Sequence, residues 1–319
     1  MRYLLIALAV LPAACRSSGP LQPASPGAPF PLVPAIMVQK GNGYVAHVHR
    51  PQHQSKGQRA PAVMLIGGSG GGIGWQDYMA ERLAQRGFVA MAVAYFAFDS
   101  LPPELDRIPI EAFDNALGWL SKQSYVDSKR IGIGAVSKGA EAALLVASVH
   151  PDVRAVAVFS PSGIVFQSVT RDFHASSSWT RGGVEIPFVH YGNAPRGSAL
   201  VEYYRAGLKE ADAATLDAAT IRAERINAPI LLLSGRNDTL WGSGDLADMI
   251  AARLKALSFA PGFENIVYPN AGHLISSIRT DDVTYRGGTK EGNDAAQVDG
   301  QRRFLEFFQR QLLAVSYKL

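Results

Sequence analysis

Short apolar runs at 62–66, 88–94, 130–133, 153–159, 229–233 and 265–268 alternate with amphipathic stretches at 77–86, 109–121, 138–150, 245–257 and 297–313. The runs are too short for helices. They also lack the apolar/polar alternation of a half-solvated strand, so each reads as a strand buried on both faces. Such strands pair in parallel and need a crossover, normally a helix, between neighbours. The pattern therefore predicts an α/β fold with a mainly parallel sheet and helices on both faces. Pro109 and Glu111 at a first turn and Gly87 just past a last turn are the expected end signals. One region breaks the rhythm. Residues 161–227 hold an aromatic and glycine-rich stretch followed by an Ala-rich one, too long for a simple connection, and read as a cap insertion over a site.

Composition limits what that fold is for. With 47% hydrophobic and 18% charged residues the bulk of the chain can bury a large core. Its formal charge of +4 is scattered, with no Lys/Arg run longer than two, which argues against a nucleic-acid partner. The single cysteine, Cys15, excludes an intramolecular disulfide, a Cys-based metal site and a cysteine nucleophile in the folded body. No metal and no cofactor are expected. The opening residues, "MRYLLIALAVLPAAC", combine Arg2, an apolar run at 3–11 and small residues Ala13 and Ala14 directly before Cys15. That layout predicts an export signal at 1–14, too short to span a bilayer. It resembles a bacterial lipoprotein signal, with lipidation of Cys15 holding an exported chain at a membrane. The Pro-, Ser- and Gly-rich residues 15–40 read as a flexible tether, and 41–319 as the folded domain.

In "RIGIGAVSKGAEAALLVAS" an apolar strand runs into Ser137 and an Ala/Leu-rich helix follows at once. This is the strand, sharp turn, helix setting that lifts a serine Oγ above the carboxyl edge of a sheet. Ala135 stands where the first glycine of G-x-S-x-G belongs, adding one methyl group; Gly139 is present. A serine at a helix start can also be a plain N-cap. The α/β-hydrolase arrangement further needs an acid and then a histidine on loops after later strands. "GRNDTLW" places Asp238, and "YPNAGHLI" places His273, each just after an apolar run. Ser137 is expected as nucleophile, His273 as its base and Asp238 as the group orienting His273. His47, His49, His53, His150, His174 and His190 are the competing bases. An oxyanion hole would use the backbone N–H of Lys138 and one from Gly68, Ser69 or Gly70 in "LIGGSGGGIG". Those glycines satisfy neither G-x-G-x-x-G nor a P-loop.

The run from 108 to 148, with "GRNDTLW", "YPNAGHLI" and "RGGTKEGNDAAQVDGQRRFLEFFQRQL", resembles the C-terminal catalytic domain of the acyl-CoA thioesterase and bile-acid-CoA:amino-acid N-acyltransferase family, an α/β-hydrolase. The most specific parts are S-K-G-A-E around Ser137, and Gly287-Gly288-Thr289 with A-x-Q-V-D at 295–299. The resemblance implies the same triad, and a serine there goes with hydrolysis rather than amino-acid transfer. Family members commonly carry an N-terminal β-sandwich; here only the residues between Cys15 and Ala62 precede the first expected sheet strand. The expected substrate is a small-molecule acyl ester or thioester. Trp179, Phe188, Tyr191, Tyr203 and Tyr204 would suit an apolar acyl group, or simply pack the cap onto the core. A dienelactone-hydrolase-like lactonase and a catalytically silent binding protein are the alternatives.

Overall fold

The computed structural model describes residues 35–51, 57–277 and 284–313. Its frame is an eight-stranded sheet in the order β1-β2-β4-β3-β6-β7-β10-β11. The strands are β1 (Ala35–Gly41), β2 (Tyr44–Arg50), β3 (Ala60–Ile66), β4 (Val89–Ala94), β6 (Val126–Val136), β7 (Val153–Phe159), β10 (Ile230–Gly235) and β11 (Phe263–Tyr268). From β4 to β11 every pairing is parallel, while β1 and β2 join as an antiparallel edge. The mainly parallel sheet expected from the apolar runs is present.

Side-chain alternation along β3 shows how the sheet is covered. Ala62, Met64 and Ile66 enter one core with α2 (Glu111–Ser121), α3 (Lys138–Ala147) and α6 (Ser243–Ala256). Val63 and Leu65 enter the other with α1 (Gly74–Ala84) and α7 (Lys290–Phe308). Both faces of β3 and β4 are fully buried, which is why these strands read as continuous apolar runs.

Between β7 and β10 the chain leaves the sheet. It forms β8 (Trp179–Arg181), β9 (Val184–Glu185), α4 (Leu200–Glu210) and α5 (Ala213–Ala219). β8 also pairs with the two-residue β5 (Ile108–Pro109), so the insertion is stitched to the segment before α2.

Several boundaries differ from the sequence reading. The sheet begins at Ala35, inside the stretch assigned to the tether at 15–40, because Asn42-Gly43 closes a β1–β2 hairpin with Gly43 at φ 81°. β1 exposes Ile36, Met37 and Val38, so its run carries no burial signal. Pro109 lies in β5 and α2 starts at Glu111. α1 spans Gly74–Ala84 rather than 77–86. α7 starts at Lys290 rather than 297: the Thr289 side chain caps it by accepting from Gly292 N–H. Gly292 is there because a Cβ would lie 2.1 Å from the Asn270 carbonyl, not because the helix stops. Residues 1–34, including the signal and Cys15, fall outside the described residues.

Candidate active site

The site is assembled from the ends of three parallel strands. β6 ends at Val136, and Ser137 follows at φ 56°, ψ −127° before α3 begins. A non-glycine residue there is strained. Neighbouring backbone fixes it: Ser137 N–H donates to Phe159 C=O at 2.9 Å and Ala140 N–H to Ser137 C=O at 2.8 Å. The Ser137 side chain makes no capping bond to α3, so the plain N-cap reading does not describe it. Gly139 is the indispensable glycine of the turn. A Cβ there would sit 2.2 Å from the Gly67 carbonyl oxygen, whereas Ala135 is accommodated within the core.

Asp238 lies in the loop after β10 and His273 in the loop after β11. His273 Nδ1 is 2.8 Å from Asp238 Oδ2, and His273 Nε2 is 2.9 Å from Ser137 Oγ. All three residues are buried. Asp238 also accepts N–H bonds from Leu240 at 2.8 Å and Ser243 at 3.0 Å. Burial by itself would raise its pKa, but His273 and Ser243 override that and hold the carboxyl at about 2. An ionised carboxylate only accepts hydrogen bonds. His273 therefore donates through Nδ1–H, leaving Nε2 free to accept from the Ser137 hydroxyl.

The G-G-T segment gives the two loops a fixed spacing. Arg286 C=O accepts from His273 N–H at 3.0 Å and from Thr239 N–H at 3.3 Å, so one residue bridges the His273 and Asp238 loops. Gly287 has φ 92° and is so close to the Asp238 loop that a Cβ would meet Asn237 O at 1.8 Å. Buried Asn293 finishes the clamp, accepting from Gly272 N–H and donating to Gly287 C=O. Ser160 Oγ adds a bond to His273 C=O at 2.7 Å.

Lys138 is the first residue of α3, so its N–H has no acceptor within the helix. Its side chain is buried, donating to both Glu141 oxygens and to Phe166 C=O at 2.9 Å. Glu141, fully buried, also accepts from the Trp179 indole N–H at 2.9 Å. Burial drives Lys138 down and Glu141 up in pKa, and their pairing opposes both shifts. Phe166 and Trp179 belong to the insertion, so this pair pins the insertion to the first turn of α3. The i,i+3 spacing of Lys138 and Glu141 was visible in the sequence; their burial was not.

Of the glycine loop, Gly68 lies against Ser137, where an added Cβ would be 2.9 Å from Ser137 Cβ. Gly71 N–H closes a turn onto Gly68 C=O, and Gly70 is exposed.

The five aromatics do not form one cluster. Trp179 packs with Tyr95 and Phe113 in the main core. Tyr191 and Tyr204 join Phe166 and Trp241, with their hydroxyls 3.1 Å apart. Phe188 faces His190, and the Tyr203 hydroxyl bonds Pro195 C=O. Trp241, the last residue of "GRNDTLW" and given no role in the sequence reading, stands edge-on to His273 at 5.8 Å. Four of the competing histidines pair with carboxylates: His47 and His49 share Asp77, His150 pairs with Asp114 and His174 with Asp172. His53 lies outside the described residues. Among the described residues no cluster of His, Cys, Asp and Glu has the makings of a metal site.

The family described as BAAT / Acyl-CoA thioester hydrolase C terminal matches residues 108–314, which carry all three site residues and the G-G-T clamp. The chain belongs to this family. Among curated relatives, mouse acyl-coenzyme A thioesterase 5 is 28% identical over 266 residues, covering 79% of this chain and 60% of its own length. Human mitochondrial acyl-coenzyme A thioesterase 2 is 25% identical over 270 residues, covering 79% of this chain and 52% of its own. The chain thus spans a little over half the length of these thioesterases. Among solved structures, an acylaminoacyl peptidase of Pyrococcus horikoshii superposes with a TM-score of 0.61 at 15% identity, covering 90% of this chain and 43% of that one. A chain assigned as a dienelactone hydrolase of Klebsiella pneumoniae superposes at 0.55 and 18% identity, covering 86% and 99%. These neighbours share the α/β-hydrolase fold with the family's catalytic domain.

Proposed function

We propose that this chain is a serine hydrolase that cleaves carboxylic esters or thioesters, acyl-CoA thioesters among them, through an acyl-enzyme on Ser137. The observation that carries the reading is the hydrogen-bonded line from Ser137 Oγ through His273 to an Asp238 carboxylate held ionised. His273 Nε2 takes the hydroxyl proton as Ser137 Oγ attacks the acyl carbon, and Asp238 stabilises the resulting imidazolium. The Lys138 N–H and an N–H of the loop at Gly68, Ser69 and Gly70 receive the oxyanion. His273 then protonates the departing alcohol or thiol, and water, activated by the same ring, releases the acid. The insertion serves as a cap over this site. The relatives' names support thioester chemistry, and Ser137 in place of a cysteine supports water as the acceptor.

Replacing Ser137 with Ala is expected to abolish turnover of nitrophenyl esters and acyl thioesters, and labelling by a fluorophosphonate. Activity of the variant near wild type sinks the assignment; a wild-type protein that does not label is a silent member of the fold. We further propose that the chain is exported and anchored through a lipid on Cys15.

A further inference from the structure

A groove of about 500 Å³ runs between α1 and α7, with none of Ser137, Asp238 and His273 in its lining. Three arginines line it: Arg82, Arg86 and Arg302. Arg302 is neutralised by Asp299 and by Glu306, the carboxylate in the groove wall. Arg82 and Arg86 meet no carboxylate among the described residues. Arg82 donates to the Tyr78 hydroxyl at 3.1 Å and Arg86 to the Arg82 carbonyl at 2.9 Å. Arg82 Nε is buried without a partner. Burial, then the neighbouring Arg82 charge, pushes Arg86 below the usual guanidinium range. Cations at the carbonyl end of a helix are favourable, and Arg86, from just past the end of α1, supplies one by bonding the Arg82 carbonyl. That role uses one N–H of Arg86 and leaves two adjacent guanidiniums without an anion.

The groove's other end belongs to the active-site loop. Gln297 Nε2 donates to the carbonyl of Leu274, the residue after His273, and Gln301 Nε2 to that of Ser277. Tyr78 and Arg82, at i and i+4, share one face of α1, and Arg86 follows in the turn just past the end of that helix. Between the two ends Leu305 and the exposed Val298 supply apolar wall. A groove that starts beside the His273 turn, is partly apolar along its length and ends on unneutralised guanidiniums suits a flexible arm with an anionic tip.

We propose that this groove receives the phosphate-bearing end of the substrate's leaving group, with Arg82 and Arg86 pairing to a phosphomonoester or diphosphate such as coenzyme A carries. This rests on the reading of the chain as a thioesterase. A phospholipid headgroup offers the same phosphate chemistry, and the two sources are separable.

The test uses the full chain and two thioesters of one acyl group, the CoA ester and the N-acetylcysteamine ester, which share reacting atoms but differ in phosphates. In R82Q/R86Q the KM for the CoA ester rises roughly tenfold or more and the preference for it over the truncated ester falls by a similar factor. R82K/R86K, which keeps the charges, recovers part of it. The wild-type preference also falls as salt is added. An unchanged preference in a correctly folded R82Q/R86Q protein overturns the proposal. So does loss of binding to phosphatidylglycerol vesicles in that variant without loss of the CoA preference, which assigns the groove to a membrane. Should the wild type cleave neither thioester, it is the thioesterase reading that fails. Calorimetric titration with adenosine 3′,5′-bisphosphate then decides the groove by itself: binding lost in R82Q/R86Q supports it, and no binding to wild type overturns it.

Discussion

Asp238 and Lys138 are buried charges with opposite consequences. The depressed Asp238 pKa, from 3.8 to about 2, means that folding binds this group in its ionised form. Its contribution is complete above the unfolded value and is lost as pH falls through the folded one. By the usual conversion it amounts to about 2 kcal/mol. Urea unfolding between pH 5 and pH 2 is expected to show that loss in the wild type and to lack it in Asp238→Asn. Lys138 and Glu141 neutralise each other in a site closed to water, where an unpaired charge is far costlier than the pair is helpful. Lys138→Met is expected to destabilise by about 3–5 kcal/mol. The double change Lys138→Met, Glu141→Met should recover most of it, as read by chemical denaturation. A pair that were only a surface ornament would show neither effect. These three residues were legible as a motif; the burial of the Lys138–Glu141 pair and the His273 partner of Asp238 come from elsewhere in the chain.

At the level of elements, the glycines record where backbone meets backbone. Gly139 lets the start of α3 rest on the end of β3, against the Ile66 and Gly67 carbonyls. Gly139→Ala is expected to cost several kcal/mol and to displace Ser137, with thermal melting and fluorophosphonate labelling falling together. Ala135→Gly, by contrast, removes one buried methyl and should cost about 1 kcal/mol, with labelling retained. Gly287→Ala puts a Cβ against the Asn237 carbonyl at a φ that disfavours side chains, separating the Asp238 and His273 loops. Turnover is expected to fall more than tenfold, with a smaller loss of stability. The parallel strands were readable because burial on both faces makes them uniformly apolar. β1 and the first two turns of α7 were not: one is an exposed edge strand, the other opens with a polar, glycine-containing turn shaped by Asn270.

For the molecule as a whole, two cores divided by one sheet keep the loops that carry Ser137, Asp238 and His273 at a common edge while the insertion packs onto α3 through Phe166 and Trp179. The proposed lipid anchor belongs to this scale too. Cys15→Ser is expected to abolish incorporation of an alkyne fatty acid and release the protein from membranes; retention in the membrane fraction counts against lipidation. The amino-acid sequence by itself determined the parallel strands, the alternation of helices between them and the order Ser137, Asp238, His273, because burial pattern and turn chemistry are local properties of the chain. Only the tertiary structure decided that Lys138 is buried against Glu141, that the G-G-T segment spaces the two loops, that the expected aromatic cluster is dispersed, and that Trp241 flanks His273. Those facts depend on contacts between segments far apart in sequence, where no local periodicity records which side chains meet.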